Sequence, residues 1–307
     1  MPSADERGPM QNQDVFSSYH PLVNFLYFGI LLTFSMLSMQ PVCLLISAVC
    51  AAVYYISLKG AKAGRLLLRG VLPVFLLTVI INPAFSHEGE TILRYLPTGN
   101  PLTLESIIYG IAAGIMMTGI LLWFACFSET VTSDKFVYLF GRIIPALSLV
   151  LSMTLRFVPR FLSQFDTVRD VQRMMGRDTE NGRLSARIKN AIVCFSIVVT
   201  WSMENAIEMS DSMKARGYGT GKRTAYSIYQ WDDRDRSALV FLCFCGLFLF
   251  SGGLAGKLFW RYFPSVRGIL TDPVTILLEI TFFMLCAMPV YLVRREKKKW
   301  NYLRSMI

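Results

Sequence analysis

LESIIYGIAAGIMMTGILLWFACF, residues 104–127, carries one formal charge, Glu105, at its edge. A helix needs about 20 apolar residues to cross the hydrocarbon core of a bilayer, so this run reads as a membrane span. Similar runs stand on either side of it: 22–39, followed at once by 41–58, then 68–85 before it, and 239–254 and 274–293 after it. The whole chain of 307 residues is 53% hydrophobic and 17% charged, with a mean hydropathy of +0.45. A soluble domain is about a quarter charged. These features predict a polytopic all-α membrane protein with about six transmembrane helices. The first run lacks a cationic leader and follows the acidic Asp5, Glu6 and Asp14, so it is expected to stay as a span and not to be cleaved as a signal peptide.

Cations set the expected orientation. Lys59, Lys62, Arg65 and Arg69 lie between the second and third runs, and the tail reads RREKKKW at 294–300 with Arg304 behind it. The positive-inside rule puts both segments, and both termini, in the cytoplasm of a multi-pass cell-membrane protein. The 87–101 loop then falls outside and is poor in cations, as expected; Lys257, Arg261 and Arg267 fall outside against the rule. The net charge of +10 is explained by basic loops held against anionic membrane lipids. A nucleic-acid partner is not implied, because no aromatics interleave with the cations. Seven cysteines, nearly all inside apolar runs and without a C-x-x-C pair, read as small buried hydrophobes. His20 and His87 are far apart, so no metal site and no cofactor is expected. Three regions follow: a four-span bundle at 1–127, a helical cytoplasmic insert at 128–236 between spans four and five, and a two-span hairpin with a basic tail at 237–307.

The insert keeps helical periodicity. A first helix is predicted over 145–175, with Val158, Leu162, Phe165, Val168 and Met175 as one apolar stripe and Arg160, Arg169, Asp170 and Arg173 off it. Pro159 is expected to kink it, and at 1.5 Å per residue it is roughly 45 Å long. GRDTENGRLS, 176–185, reads as a turn. A second helix is predicted over 186–216. Its first half, AIVCFSIVVTW, is apolar but too short to span alone. Its second half carries Glu204, Glu208 and Asp211 on one face, and Gly217 stands where a C′ glycine ends a helix.

The second helix runs into SDSMKARGYGTGKRT, 210–224. A phosphate loop needs G-x-x-x-x-G-K-[ST] after a strand; here Arg223 follows Gly221-Lys222, Arg216 occupies the first glycine's place, and a helix precedes. Three readings stay open from the residues alone. The stretch is a capped helix end with a cationic last turn, or Lys222 and Arg223 lie at lipid headgroups, or Arg216 is a handle for a partner's carboxylate, with the small Ala215 and Gly217 letting a groove close around it.

The order of motifs adds to this reading. Thr132-Ser133-Asp134, Leu155-Arg156-Phe157-Val158-Pro159, Ser212-Met213-Lys214-Ala215-Arg216-Gly217-Tyr218-Gly219 and Gly221-Lys222-Arg223-Thr224 resemble the coupling region of the transmembrane T component of energy-coupling factor transporters, the family that includes membrane subunits of cobalt and nickel uptake systems. The resemblance implies a non-catalytic subunit that couples two cytosolic ATPases to a separate substrate-binding membrane subunit, the S component, for vitamin or metal-ion uptake. It implies docking of one ATPase at Ala215, Arg216 and Gly217. The family's other motif reads A-Q-x-A-R-G; here Val171-Gln172-Arg173-Met174-Met175-Gly176 matches it, with Met175 in the arginine's place. The second docking set is therefore Met175, Gly176 and Arg177, with Arg177, Arg173 or an apolar grip by Met174 and Met175 as alternatives. Arg156, Pro159, Gln172 and Arg223 are the implied supporting residues. Gly110 and Gly114 form G-x-x-x-G, suited to close helix contact within the bundle or with the S component. The rival readings are a stand-alone secondary transporter with a lipid-facing basic domain, which would place ionisable groups in its spans, and a membrane enzyme, for which no catalytic constellation is present.

Overall fold

The computed structural model describes residues 15–60, 63–86, 88–95, 101–177, 183–221, 229–268 and 272–305. The chain divides into two units, Met1–Lys135 with Tyr229–Ile307, and Phe136–Ile228.

The first unit is a helical bundle. A 3-10 turn at Val15–Ser18 leads into α1 (Pro21–Leu37) and α2 (Pro41–Lys59). Both helices start with proline in the first turn, where its missing N–H is no loss. Helix α3 (Ala63–Phe85) contains a π-helical turn at Leu67–Val71. A hairpin of β1 (Ile92–Tyr95) and β2 (Pro101–Thr103) precedes α4 (Leu104–Thr130), whose first turn is capped by the Thr103 hydroxyl accepting from the Ser106 N–H at 3.3 Å. Helix α5 (Ser133–Ile143) leaves this unit, and the chain re-enters it through α8 (Asp233–Leu254), which begins with a reciprocal Asp232–Asp235 capping box. The short pair β3 (Trp260–Arg261) and β4 (Arg267–Gly268) joins α8 to α9 (Pro273–Ser305).

Among the described residues six helices are long and apolar enough to cross a membrane, and the chain is a polytopic all-α membrane protein. The six differ from the expected set. They include Leu184–Ala215 of the insert, whose apolar half belongs to an unbroken helix of 32 residues. Pro21–Leu37 is apolar but has only 17 residues. Its end is local: Pro41 disfavours helical geometry in the residue before it, and Ser38 and Gln40 are extended.

Helix α4 is the hub of the bundle, packing on α1, α2 and α3. Trp123 is fully buried and donates its indole N–H to Ser47 Oγ of α2 at 3.0 Å; Ser47 in turn meets Ser35 of α1 at 3.2 Å. Tyr27, Phe28 and Tyr54 meet its ring edge-on or tilted, and Phe16 packs edge-on against Tyr27 and Phe28, the arrangement aromatic quadrupoles favour. Gly110 and Gly114 face α3: a Cβ at Gly114 would lie 2.9 Å from the Phe75 ring, and one at Gly110 3.2 Å from the Val79 carbonyl oxygen. The G-x-x-x-G pair is thus used inside the bundle. Lys135, also buried, donates to Thr130 O at 2.9 Å and to Ser17, which ties the start of α5 to the N-terminal turn.

Two features lay beyond sequence reading. Glu279 of α9 accepts from Gln40 Nε2 at 2.6 Å, across 239 positions of chain. Tyr262, between α8 and α9, is buried and donates its hydroxyl to Met39 O at 2.9 Å. Burial pushes its phenol up to about 12, so it stays a donor at neutral pH.

In the second unit, α6 (Pro145–Met174) and α7 (Leu184–Ala215) pack on each other. Helix α6 runs through Pro159 as one element. Val168, Cys194 and Val198 form the buried core with Phe165 beside it. Further along, Phe161 meets Trp201 edge-on at 6.0 Å and Arg160 lies over the same ring at 5.3 Å. Later residues of α6 pair with earlier ones of α7, so the helices run in opposite senses. The expected α6 stripe needs correction: Val158, Leu162 and Met175 are exposed, and Phe157, Phe161, Phe165, Val168 and Gln172 face inward. Arg160, expected off the stripe, sits on Trp201. Both faces of α6 carry apolar residues, so periodicity alone did not separate them.

Two predictions follow from the bundle packing. Gly114→Val drives a side chain into Phe75 and should lower stability by about 1–3 kcal/mol, read as a lower thermal midpoint in detergent; Gly253→Ala, with nothing among the described residues within 4 Å of its added carbon, should leave the midpoint unchanged or raise it. Gln40→Leu strands the Glu279 carboxyl and should cost roughly 1–3 kcal/mol. The double variant Gln40→Leu/Glu279→Leu should recover most of that loss in the same assay.

Candidate docking site

The sequence-predicted site residues fall at the two helix ends of the second unit. Helix α6 ends with Met175 at φ −83°, ψ 9°, followed by Gly176 at φ +77°. Helix α7 ends with Arg216 at φ −83°, ψ 6°, followed by Gly217 at φ +82°. The left-handed conformation at both glycines is costly for any residue with a Cβ. The bonds also correspond. Gly176 N–H donates to Arg173 O at 3.0 Å and Arg177 N–H to Gln172 O at 2.9 Å; Gly217 N–H donates to Lys214 O at 2.9 Å and Tyr218 N–H to Met213 O at 3.0 Å. Each end is a Schellman motif, in which these crossed bonds satisfy carbonyls that would otherwise be left over.

Superposed by these bonds, Gly176 corresponds to Gly217, Met175 to Arg216, Met174 to Ala215 and Arg177 to Tyr218. Arg216 therefore has its backbone equivalent in Met175, not in Arg177, which sits beyond the glycine, nor in Arg173, which sits two residues before the cap. The side chains at both ends point outward: Met174 is 84% and Met175 68% exposed, and Ala215, Arg216, Gly217, Gly176 and Arg177 are exposed too. Because α6 and α7 run in opposite senses, the two caps lie at opposite ends of the pair and not side by side.

The supporting residues are spread along α6. Gln172 is buried, and among the described residues its Oε1 has no partner; its carbonyl takes the closing bond of the first cap. Arg156 and Pro159 are exposed on the outer face of α6. Arg223, with Lys222 and Thr224, lies outside the described residues, as does the centre of the 176–185 turn. Glu204, Glu208 and Asp211 form an exposed acidic face of α7, where Asp211 meets Lys214 at 3.9 Å. Sequence reasoning missed the Phe157–Phe161 stack and the Arg160–Trp201 contact, which brace the middle of the pair. The i, i+4 recurrence of Phe157, Phe161 and Phe165 was the available signal. Among the described residues no cluster of His, Cys, Asp or Glu is placed to hold a metal ion.

Comparison with known proteins agrees with this architecture. Residues 13–226 match the model of the CbiQ family, described as cobalt transport protein. Among curated relatives, the energy-coupling factor transporter transmembrane protein EcfT of Listeria innocua is 26% identical over 68% of this chain and 80% of its own length. EcfT of Bacillus subtilis is 25% identical over 60% of this chain and 74% of its own, and that of Staphylococcus aureus 22% identical over 60% and 73%. The match takes in the four helices before the insert and both caps, and on it the chain belongs to the cobalt transport protein family, that of the transmembrane T components of energy-coupling factor transporters.

Proposed function

We propose that this chain is the non-catalytic coupling subunit of an ATP-driven importer of the energy-coupling factor type. The observation that carries the reading is the same cap built twice, at opposite ends of one helix pair, with Met175 and Arg216 exposed at the same backbone position. Two equivalent tips suit two cytosolic ATPase subunits, one at each end. Both tips, and both chain termini, are then cytoplasmic.

At the second tip the guanidinium of Arg216 offers a planar fork of donors to a partner carboxylate, and Ala215 and Gly217 leave room for a groove to close. At the first, Met174 and Met175 offer flexible thioethers, which adapt to an apolar groove, while Arg177 stands beyond the glycine as a rim charge. The crossed bonds keep each cap rigid, so a displacement of an ATPase during its nucleotide cycle moves the helix as a body. The pair passes that motion to the membrane bundle and so to a separate S component, which binds the vitamin or metal ion.

The test is a mild-detergent pull-down of the tagged full chain with mass spectrometry of what accompanies it. Wild type should recover ATPase subunits and a further membrane protein. Arg216→Glu should lose an ATPase, since reversing a central charge weakens binding by at least about 2 kcal/mol, roughly 30-fold. Recovery of the chain alone from both samples would overturn the reading and favour a stand-alone transporter, with Glu279 in α9 the first group to examine. A second prediction concerns the first tip. Met175→Glu should weaken ATPase capture by about tenfold or more, whereas Met175→Leu, which keeps the tip apolar, should keep most of it; equal loss in both would show that the thioether itself is required.

A further inference from the structure

The first turns of α8 and the last membrane turns of α9 enclose a groove of about 430 Å³. Its lining changes character along its length. On α9, Met288, Leu292, Arg295 and Lys299 recur at i, i+4, i+7 and i+11, so one helix face passes from apolar to cationic. On α8, Arg234, Ala238 and Phe241 recur at i, i+4 and i+7 and pass from cationic to apolar. The two helices pack on each other, and the two gradients coincide: Arg234, Arg295 and Lys299 gather at one end, Phe241 and Met288 at the other. Val15 and Tyr19 of the N-terminal turn close the third side, with the Arg234 guanidinium 5.9 Å above the Tyr19 ring.

The depth of these residues is set by the spans. The apolar run of α8 begins after Arg236, and that of α9 ends before Arg294. Arg234 and Arg295 therefore stand where hydrocarbon gives way to headgroups, Lys299 one turn farther out, and Phe241 and Met288 about two turns inward. Asp235 acts on Arg234 from the capping box of α8, and among the described residues the carboxylate paired with Arg234 is Asp232, 3.0 Å from Nη2. That pair is exposed, so it holds the arginine weakly, and it engages one of five guanidinium N–H donors.

A site cationic at headgroup depth and apolar below it matches an amphiphile whose phosphate stands above a hydrocarbon chain. We propose that the groove holds one anionic phospholipid of the surrounding leaflet. The phosphate takes Arg234, Arg295 and Lys299, and the upper part of an acyl chain lies along Leu292, Met288 and Phe241. Basic pockets between membrane helices at a headgroup face are suited to this role. Free phosphate would use the cations and leave the apolar floor uncovered, whereas a lipid fills both.

The test uses the full chain, purified in detergent and stripped of lipid, then titrated separately with phosphatidylglycerol, phosphatidylcholine and inorganic phosphate. Retained lipid is read by native mass spectrometry and stabilisation by the thermal midpoint. Phosphatidylglycerol should bind saturably and raise the midpoint, and the other two should not. Arg295→Gln/Lys299→Gln should weaken phosphatidylglycerol binding roughly five-fold for each cation removed. Arg65→Gln/Arg69→Gln, which removes the same charge from exposed positions on α3, should not. Four results would overturn the proposal: no binding of phosphatidylglycerol; equal binding of phosphatidylcholine; the same stabilisation from inorganic phosphate alone; or equal weakening by both double variants, which would reduce the effect to general surface charge.

Discussion

The buried indole of Trp123 has one hydrogen to donate and no water to receive it, and the bundle is arranged around that requirement. In a bilayer an unpaired polar group has no solvent to fall back on. Ser47 of α2 accepts the bond, and Ser35 of α1 shares the Ser47 hydroxyl, so three helices are registered at one level by two contacts. The aromatic rings of Phe16, Tyr27 and Phe28 then lock the N-terminal turn and α1 to the same place. On another side of α4, Gly110 and Gly114 let α3 approach closely. One helix thus binds its neighbours by opposite means: a large side chain with a single polar atom toward α1 and α2, and the absence of side chains toward α3.

Why the sequence disclosed some of this and hid the rest follows from the range of the interactions. Spans are local: a run such as 104–127 reports its own solvent. Caps are local too, and glycine at 176 and 217 marked both because the left-handed backbone is cheap only there. The Gln40–Glu279 bond joins residues 239 positions apart, and nothing near either announces the other. The inward face of α6 was hidden for another reason. Leu162 and Val158 are as apolar as Phe161 and Phe157, so the pattern fitted two stripes, and only Trp201 and Cys194 on α7 select between them.

The caps also show how a motif can be kept in backbone and changed in side chain. Read as letters, Gln172-Arg173-Met174-Met175-Gly176-Arg177 offers three candidates for the place held by Arg216. Read as hydrogen bonds, it offers one, because the glycine fixes the frame and the residue before it is the cap. Met175 and Arg216 share φ and agree in ψ within a few degrees. The two ends thus offer the same backbone and different chemistry.

That difference constrains any pair of docking partners. Burying Arg216 against an apolar groove would strand a guanidinium, and burying Met175 against a carboxylate would strand the acid; each mismatch costs more than a matched contact gains. A single groove cannot serve both tips well. On the docking reading, the two ATPase grooves differ in lining, acidic for the α7 cap and apolar for the α6 cap, and each ATPase has a preferred end. Identical ATPases at both tips would need a groove in which the carboxylate swings aside when methionine enters. Exchanging the tips, with Met175→Arg and Arg216→Met in one chain, separates the cases: distinct ATPases should exchange ends or be lost, and identical ones should bind as before.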